Sequence, residues 1–182
     1  VAKPEGAYTQ KVNTEGDKPT YSVGVADFAP VANATDMLVL SPTTKDIRVT
    51  YADYAADATG STTADIYFFK RTVADTGGAS SAPAICKHDS QDVAPTGVVA
   101  LYSANPTISG SGAALVRGSH IAVPAATTAV GGGLPIQHFF GNRPSKCVVL
   151  RAGTGEQFCI SNGGNAIPAG MSTYMNIEWT EE

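Results

Sequence analysis

Three histidines, His88, His120 and His138, are the side chains of this sequence best suited to moving protons near neutral pH. Serines and aspartates are plentiful around them, so a Ser–His–Asp constellation can be drawn on paper. A working serine nucleophile of the G-x-S-x-G kind needs a sharp strand-to-helix turn beneath it. The stretch Ser109-Gly110-Ser111-Gly112 lacks that spacing, and no helical pattern follows it. His120 stands in a strand-like run and His138 sits beside Phe139-Phe140, so both are expected to be structural. No catalytic residue is assigned, and the chain is expected not to be an enzyme.

Metal and cofactor chemistry find little more. Asp53, Asp57 and Asp65 flank a glycine-containing loop, and carboxylates with loop carbonyls are what Ca²⁺ takes. The ligand order of an EF-hand is missing, and loop acids are ordinarily just solvated. Cys86, Cys147 and Cys159 make an odd count without C-x-x-C spacing, which fits neither a disulfide scaffold nor a zinc cluster. Cys147 and Cys159 fall in apolar segments and are expected as buried free thiols, a bridge between them being the alternative. A reducing cytoplasm is the simplest compartment for such a chain. The glycine clusters match no phosphate-binding loop, since Gly-Lys-Ser/Thr is absent. No metal or cofactor site is therefore assigned. Tyr8, Tyr21, Tyr54, Tyr102 and Tyr174 could stack on sugars, although tyrosine in a β protein more often fills a core or an interface. Asn33-Ala34-Thr35 is a glycosylation sequon, without weight unless a secretory leader precedes it. The opening residues Val1 to Gly6 carry no apolar leader segment, and a start at Val1 fits initiator methionine removal.

The elements that must hold these residues are strands. Lys45 to Tyr51 alternates, with Ile47, Val49 and Tyr51 expected on one face. Thr173 to Thr180 does the same, with Met175, Ile177 and Trp179 turned inward. Further short apolar runs occur at 23–28, 37–40, 65–70, 98–102, 114–116, 120–123, 136–140, 146–151 and 157–160. Turn residues separate them, as in Asp75-Thr76-Gly77-Gly78 and Ser161-Asn162-Gly163-Gly164. No window of twelve shows a clean helical period. The reading is all-β, an antiparallel β-sandwich of the jelly-roll kind with 8–10 strands, spanning residues 20–182. Its expected core is Leu38, Leu40, Ile47, Val49, Ile66, Phe68, Val99, Leu101, Val148, Leu150, Met175, Ile177 and Trp179.

Composition narrows the partners. Only 15% of the 182 residues are charged, against about 25% in ordinary soluble proteins. A formal charge of −4 disfavours nucleic acid, whose binders present a basic face. No apolar run has the length of a membrane-spanning helix. Residues 1–19 are polar and rich in lysine and acids, and read as an extended arm ordered by a neighbour or not at all. The longest break, residues 72–96, is expected to be functional or ordered by a partner. A weakly charged surface is easiest to explain if part of it is buried between copies, with a homotrimer favoured.

Several motifs in combination are distinctive. They are Lys70 to Gly78, Ala82-Pro83, His88 to Asp92, Tyr102 to Thr107, Phe140 to Pro144, Val149-Leu150-Arg151 and Ile177 to Glu182. Over residues 38–182 the chain resembles a family of small virion-associated structural proteins of tailed bacteriophages. The resemblance implies a β-sandwich component of the virion, made in the host cytoplasm and bound to the major capsid protein or other virion proteins. It brings no catalytic residues. The motifs themselves do not choose between capsid and tail; the expected role is capsid decoration or cementing on the head lattice. The alternatives are a neck, tail or fibre-associated structural protein, or a receptor- or glycan-binding module.

Overall fold

A computed structural model describes residues 18–108, 114–126, 134–141 and 146–182. Ordered segments of extended backbone pair there into two antiparallel sheets, with no helix among the described residues. The strands are β1 (Thr20–Phe28), β2 (Asp36–Ser41), β3 (Ile47–Asp57), β4 (Thr62–Arg71), β5 (Ser80–Ser81) and β6 (Cys86–Lys87). They continue as β7 (Val98–Tyr102), β8 (Ala114–Val123), β9 (Ile136–Phe139), β10 (Val148–Leu150), β11 (Gln157–Ser161) and β12 (Ser172–Glu181). The first sheet runs β10-β3-β12-β1-β6, with β9 also pairing on β3. The second runs β5-β7-β2-β11-β4-β8.

The pairings are nested. β1 pairs with β12, β2 with β11, β3 with β10 and β4 with β8, each antiparallel. A long hairpin rolled up on itself leaves alternate pairs in opposite sheets, which is the jelly-roll arrangement. The sandwich expected from the periodicity is the one observed.

Each sheet turns one apolar face to the other. Tyr21, Tyr54, Phe68, Phe158 and Trp179 are completely buried there, together with Leu38, Leu40, Ile47, Ile66 and Leu150. Most of the expected core is in place, but Leu101 and Val148 are only partly buried at its margin. Tyr51 departs from the alternation. In the β3–β12 ladder Glu178 opposes Tyr51 and Trp179 opposes Val49, so Thr50 is an extra residue. That bulge reverses the facing of everything beyond it. Ala52, Tyr54 and Ala56 point inward, and Tyr51 is carried to the outer face.

Residues 72–96 are not a bare loop. They contain β5, which edges the second sheet on β7, and β6, which edges the first on β1. The segment straps both sheets along one side of the sandwich. Several of its contacts are made within the chain: the Tyr21 hydroxyl donates to the Val93 carbonyl at 2.9 Å. The Lys87 ammonium likewise donates to the carbonyls of Ser90 and Asp92. The runs at 114–116 and 120–123 are one continuous strand, β8. The expected arm lies outside the described residues as far as residue 17. Lys18 forms an ion pair with Glu182.

Candidate functional site

Two groupings of polar and aromatic side chains stand out, one on the outer face of each sheet. On the second sheet, register places Phe69, Cys159, Val39 and Ala100 in a row across β4, β11, β2 and β7. Beside that row the Arg71 guanidinium lies 4.7 Å over the Phe69 ring and forks onto Asp36. Its Nε and Nη2 donate to the two carboxylate oxygens at 2.6 Å each. Both residues are buried. Asp75, from the segment after β4, brings a third group within 4.8 Å of the Asp36 oxygens and the Cys159 sulfur. Its backbone N–H donates to Gln157, whose amide in turn donates to the Ser41 hydroxyl.

Two carboxylates and a thiol at that spacing have the donor types of a metal centre, but the rest of the cluster opposes one. The guanidinium already occupies both oxygens of Asp36 and would repel a cation. Burial, then the charges of Asp36 and Asp75, push the Cys159 thiol well above its ordinary pKa, away from the thiolate a metal needs. The cluster is a buried ion pair with an acid beside it.

No donor among the described residues reaches either buried oxygen of Asp75. Burial first, then the charge and hydrogen bond of Asp36, raise its pKa to about 7 against the opposing pull of Arg71. The neutral acid can offer its proton to Asp36. Because the folded value exceeds the unfolded one, this stability is complete below about pH 4 and lost as pH rises towards 7. Full expression of the shift would be about 4 kcal/mol, and partial solvent access cuts that to about 2 kcal/mol. Asp75→Asn keeps an N–H to donate and cannot ionise. Urea unfolding should find the variant more stable than the parent by about that amount above pH 7.5, with the two equal near pH 4.

On the first sheet, the bulge in β3 brings Tyr51 out to meet Phe139 of β9, with ring centroids 4.8 Å apart. Thr50, Phe140, Gly141 and Glu178 complete an open groove of about 390 Å³. The Thr50 hydroxyl donates to Glu178 at 2.9 Å, and His88 Nε2 stands 4.0 Å from the other carboxylate oxygen. The Tyr51 hydroxyl donates to Asp53 at 2.7 Å, and Asn176 donates to the same carboxylate at 2.6 Å. Burial, then Asp53, push the Tyr51 phenol up to about 12, so it stays a hydroxyl.

The residues singled out from the sequence are scattered. Asp53 and Asp57 lie on the outer face of the first sheet, whereas Asp65 lies on that of the second, 2.7 Å from His120 Nδ1 and bonded by Asn165. The three aspartates make no common Ca²⁺ site. His138 packs edge-on against Phe68 at 4.9 Å, and burial lowers its pKa, as fits a structural side chain. His120 is instead exposed. Cys159 is buried, Cys147 partly so and Cys86 exposed; all three are free, so the alternative Cys147–Cys159 bridge is absent. Tyr21 and Tyr54 are core residues and cannot stack on a sugar. Tyr8 lies outside the described residues. Tyr51 and Phe139, which form the groove, were not among the candidates. No protein-family model, curated protein or solved structure matches the chain.

Proposed function

We propose that the chain is a structural component of a bacteriophage virion, a decoration protein of the head lattice that works by assembly and not by catalysis. The sequence resemblance supplies the setting. The observation that carries the assembly role is β8. It is the outer strand of the second sheet, ten residues long, with its far edge unpaired among the described residues. The other outer strands are much shorter, from two to four residues. Leu115 on β8 is 55% exposed, and Arg117 is its only fixed charge. Folded proteins usually blunt such an edge with charge, proline or brevity, because its free backbone groups accept another strand. A partner chain adding a strand here gains backbone hydrogen bonds and covers Leu115.

Charge placed on that edge should disrupt it. Leu115→Lys is expected to melt like the parent, since the side chain is exposed, while binding to virion partners or to further copies weakens at least tenfold. Light scattering and co-sedimentation with particles lacking the protein read this out. Quantitative mass spectrometry of intact particles should find on the order of hundreds of copies, as lattice binding through many equivalent sites requires. A dozen or fewer would move the protein to the neck or tail. Absence from the particle would overturn the proposal.

A further inference from the structure

The groove on the outer face of the first sheet has a composition that selects one class of ligand. Register lays down two adjacent rows across this face. One is Ser22, Glu178, Tyr51 and Phe139, and the other is Gly24, Asn176, Asp53 and Gln137, on β1, β12, β3 and β9. Rows two residues apart on one face are spaced by roughly 7 Å, a little more than the length of one sugar ring. A volume of about 390 Å³ falls within the range of small-molecule sites.

Phe139 is 59% exposed, a large ring carried by strand alternation to the outer face while its neighbour Phe140 turns inward. The Tyr51 ring holds it at 4.8 Å with a 50° tilt, which leaves one aromatic surface open to solvent. The polar groups beside it are hydroxyl, amide and carboxylate. Neither row contains a lysine or arginine. Phosphates and other anions are therefore disfavoured. The amide row is also crowded into order: a Cβ at Gly24 would come within 2.7 Å of Asn176 Oδ1, so glycine there leaves the amide its place.

We infer that this groove binds a neutral saccharide, whose C–H face stacks on Phe139 while its hydroxyls donate to Glu178 and bond the neighbouring amides. The stacking ring supplies the apolar contact. Thr50 holds one oxygen of Glu178, and the other, with His88 Nε2 at 4.0 Å, is within the groove to accept from a sugar hydroxyl. A quaternary ammonium is the competing ligand for rings near a carboxylate, but it favours a cage of rings on several sides. Here the groove is open, with one aromatic pair at its floor, and the adjacent row carries the amides of Asn176 and Gln137 on either side of Asp53. The inference stands independently of any place in a virion.

Titration of the ¹⁵N-labelled full chain with maltotriose, cellotriose, chitotriose and lactose tests it. At least one should give saturable shifts confined to β3, β9 and β12. Phe139→Ala should weaken that binding about tenfold, with unchanged melting because the ring is exposed. Glu178→Gln should weaken it several-fold, and Leu115→Lys should leave it intact. Absence of saturable shifts with all four sugars, or equal binding by Phe139→Ala, would overturn the inference. So would tighter binding of tetramethylammonium at the same residues.

Discussion

Glu181→Ala is expected to destabilise the fold by about 3–5 kcal/mol in urea at pH 7, although the position is the terminal residue of β12. Glu181 is only 4% exposed and turns inward after Trp179. Its carboxylate accepts from the Thr96 backbone N–H at 3.0 and 2.9 Å and the Thr96 hydroxyl at 2.8 Å. The Gly97 N–H at 2.8 Å and the Trp179 indole N–H at 3.3 Å complete the set. Alanine would leave the buried Gly97 and Trp179 donors without a partner and the part-buried Thr96 pair only partly hydrated, and a buried donor costs about 1–3 kcal/mol when left unpaired. Gly97 is part of the same joint, since a Cβ there would meet Ile47 Cδ1 at 2.8 Å. Burial alone would raise the Glu181 pKa, but the N–H groups of Gly97 and Thr96, with the Thr96 hydroxyl and Trp179, outweigh it and hold the value below normal. A depressed carboxylate stabilises above its unfolded pKa, and the benefit is lost as pH falls through the folded one. The gap between parent and variant should therefore narrow below about pH 4. Glu181→Gln, which keeps one acceptor oxygen, should fall between them.

Arg71→Met is expected to be comparably damaging, at about 3–5 kcal/mol, because it leaves Asp36 buried beside Asp75 without a counter-charge. Removing both members should cost much less. A double variant, Asp36→Leu with Arg71→Met, takes away two desolvated charges together, and apolar replacements of similar volume are often tolerated. Urea unfolding of the two single variants and the double gives the coupling directly. Additive losses would show that the fork contributes nothing beyond its separate side chains.

The periodicity exposed the sandwich well and its surface poorly. Ile47, Val49, Met175, Ile177 and Trp179 face the core because a half-buried strand must alternate, and the same parity carried one step further puts Glu181 inside. Tyr51 breaks the pattern through a one-residue bulge, and a bulge is set by the partner strand, which local alternation does not contain. The fork between Asp36 and Arg71 joins residues 35 apart in sequence, and Asp75 arrives from a loop. Nothing local announces any of the three. The groove draws Tyr51, Phe139 and Glu178 from three strands, so it exists only once the register is known. A weak signal was available in Gln137 and Phe139, which share one parity while Ile136 and His138 share the other. The two-residue strands β5 and β6 were hidden because two residues are too few to show a period.

The nested pairing also sets an order of events during synthesis. β12 lies between β1 and β3, in the middle of the first sheet, yet it is the last of the described strands to be made. At roughly 5–20 residues per second, β1 waits on the order of 10–30 s for its partner to emerge from the ribosome. Until then β1 and β3 flank an empty slot, with Tyr21, Val49 and Tyr54 lacking the Trp179, Ile177 and Met175 side chains that fill the space between them. Such an interval exposes apolar strands to other nascent chains, and closure over so long a loop is slow. The second sheet has its own β11 to wait for, released only shortly before β12. Closure of the sandwich is thus gated by β11 and β12, and a ribosome stalled before residue 172 would hold a half-built sandwich open.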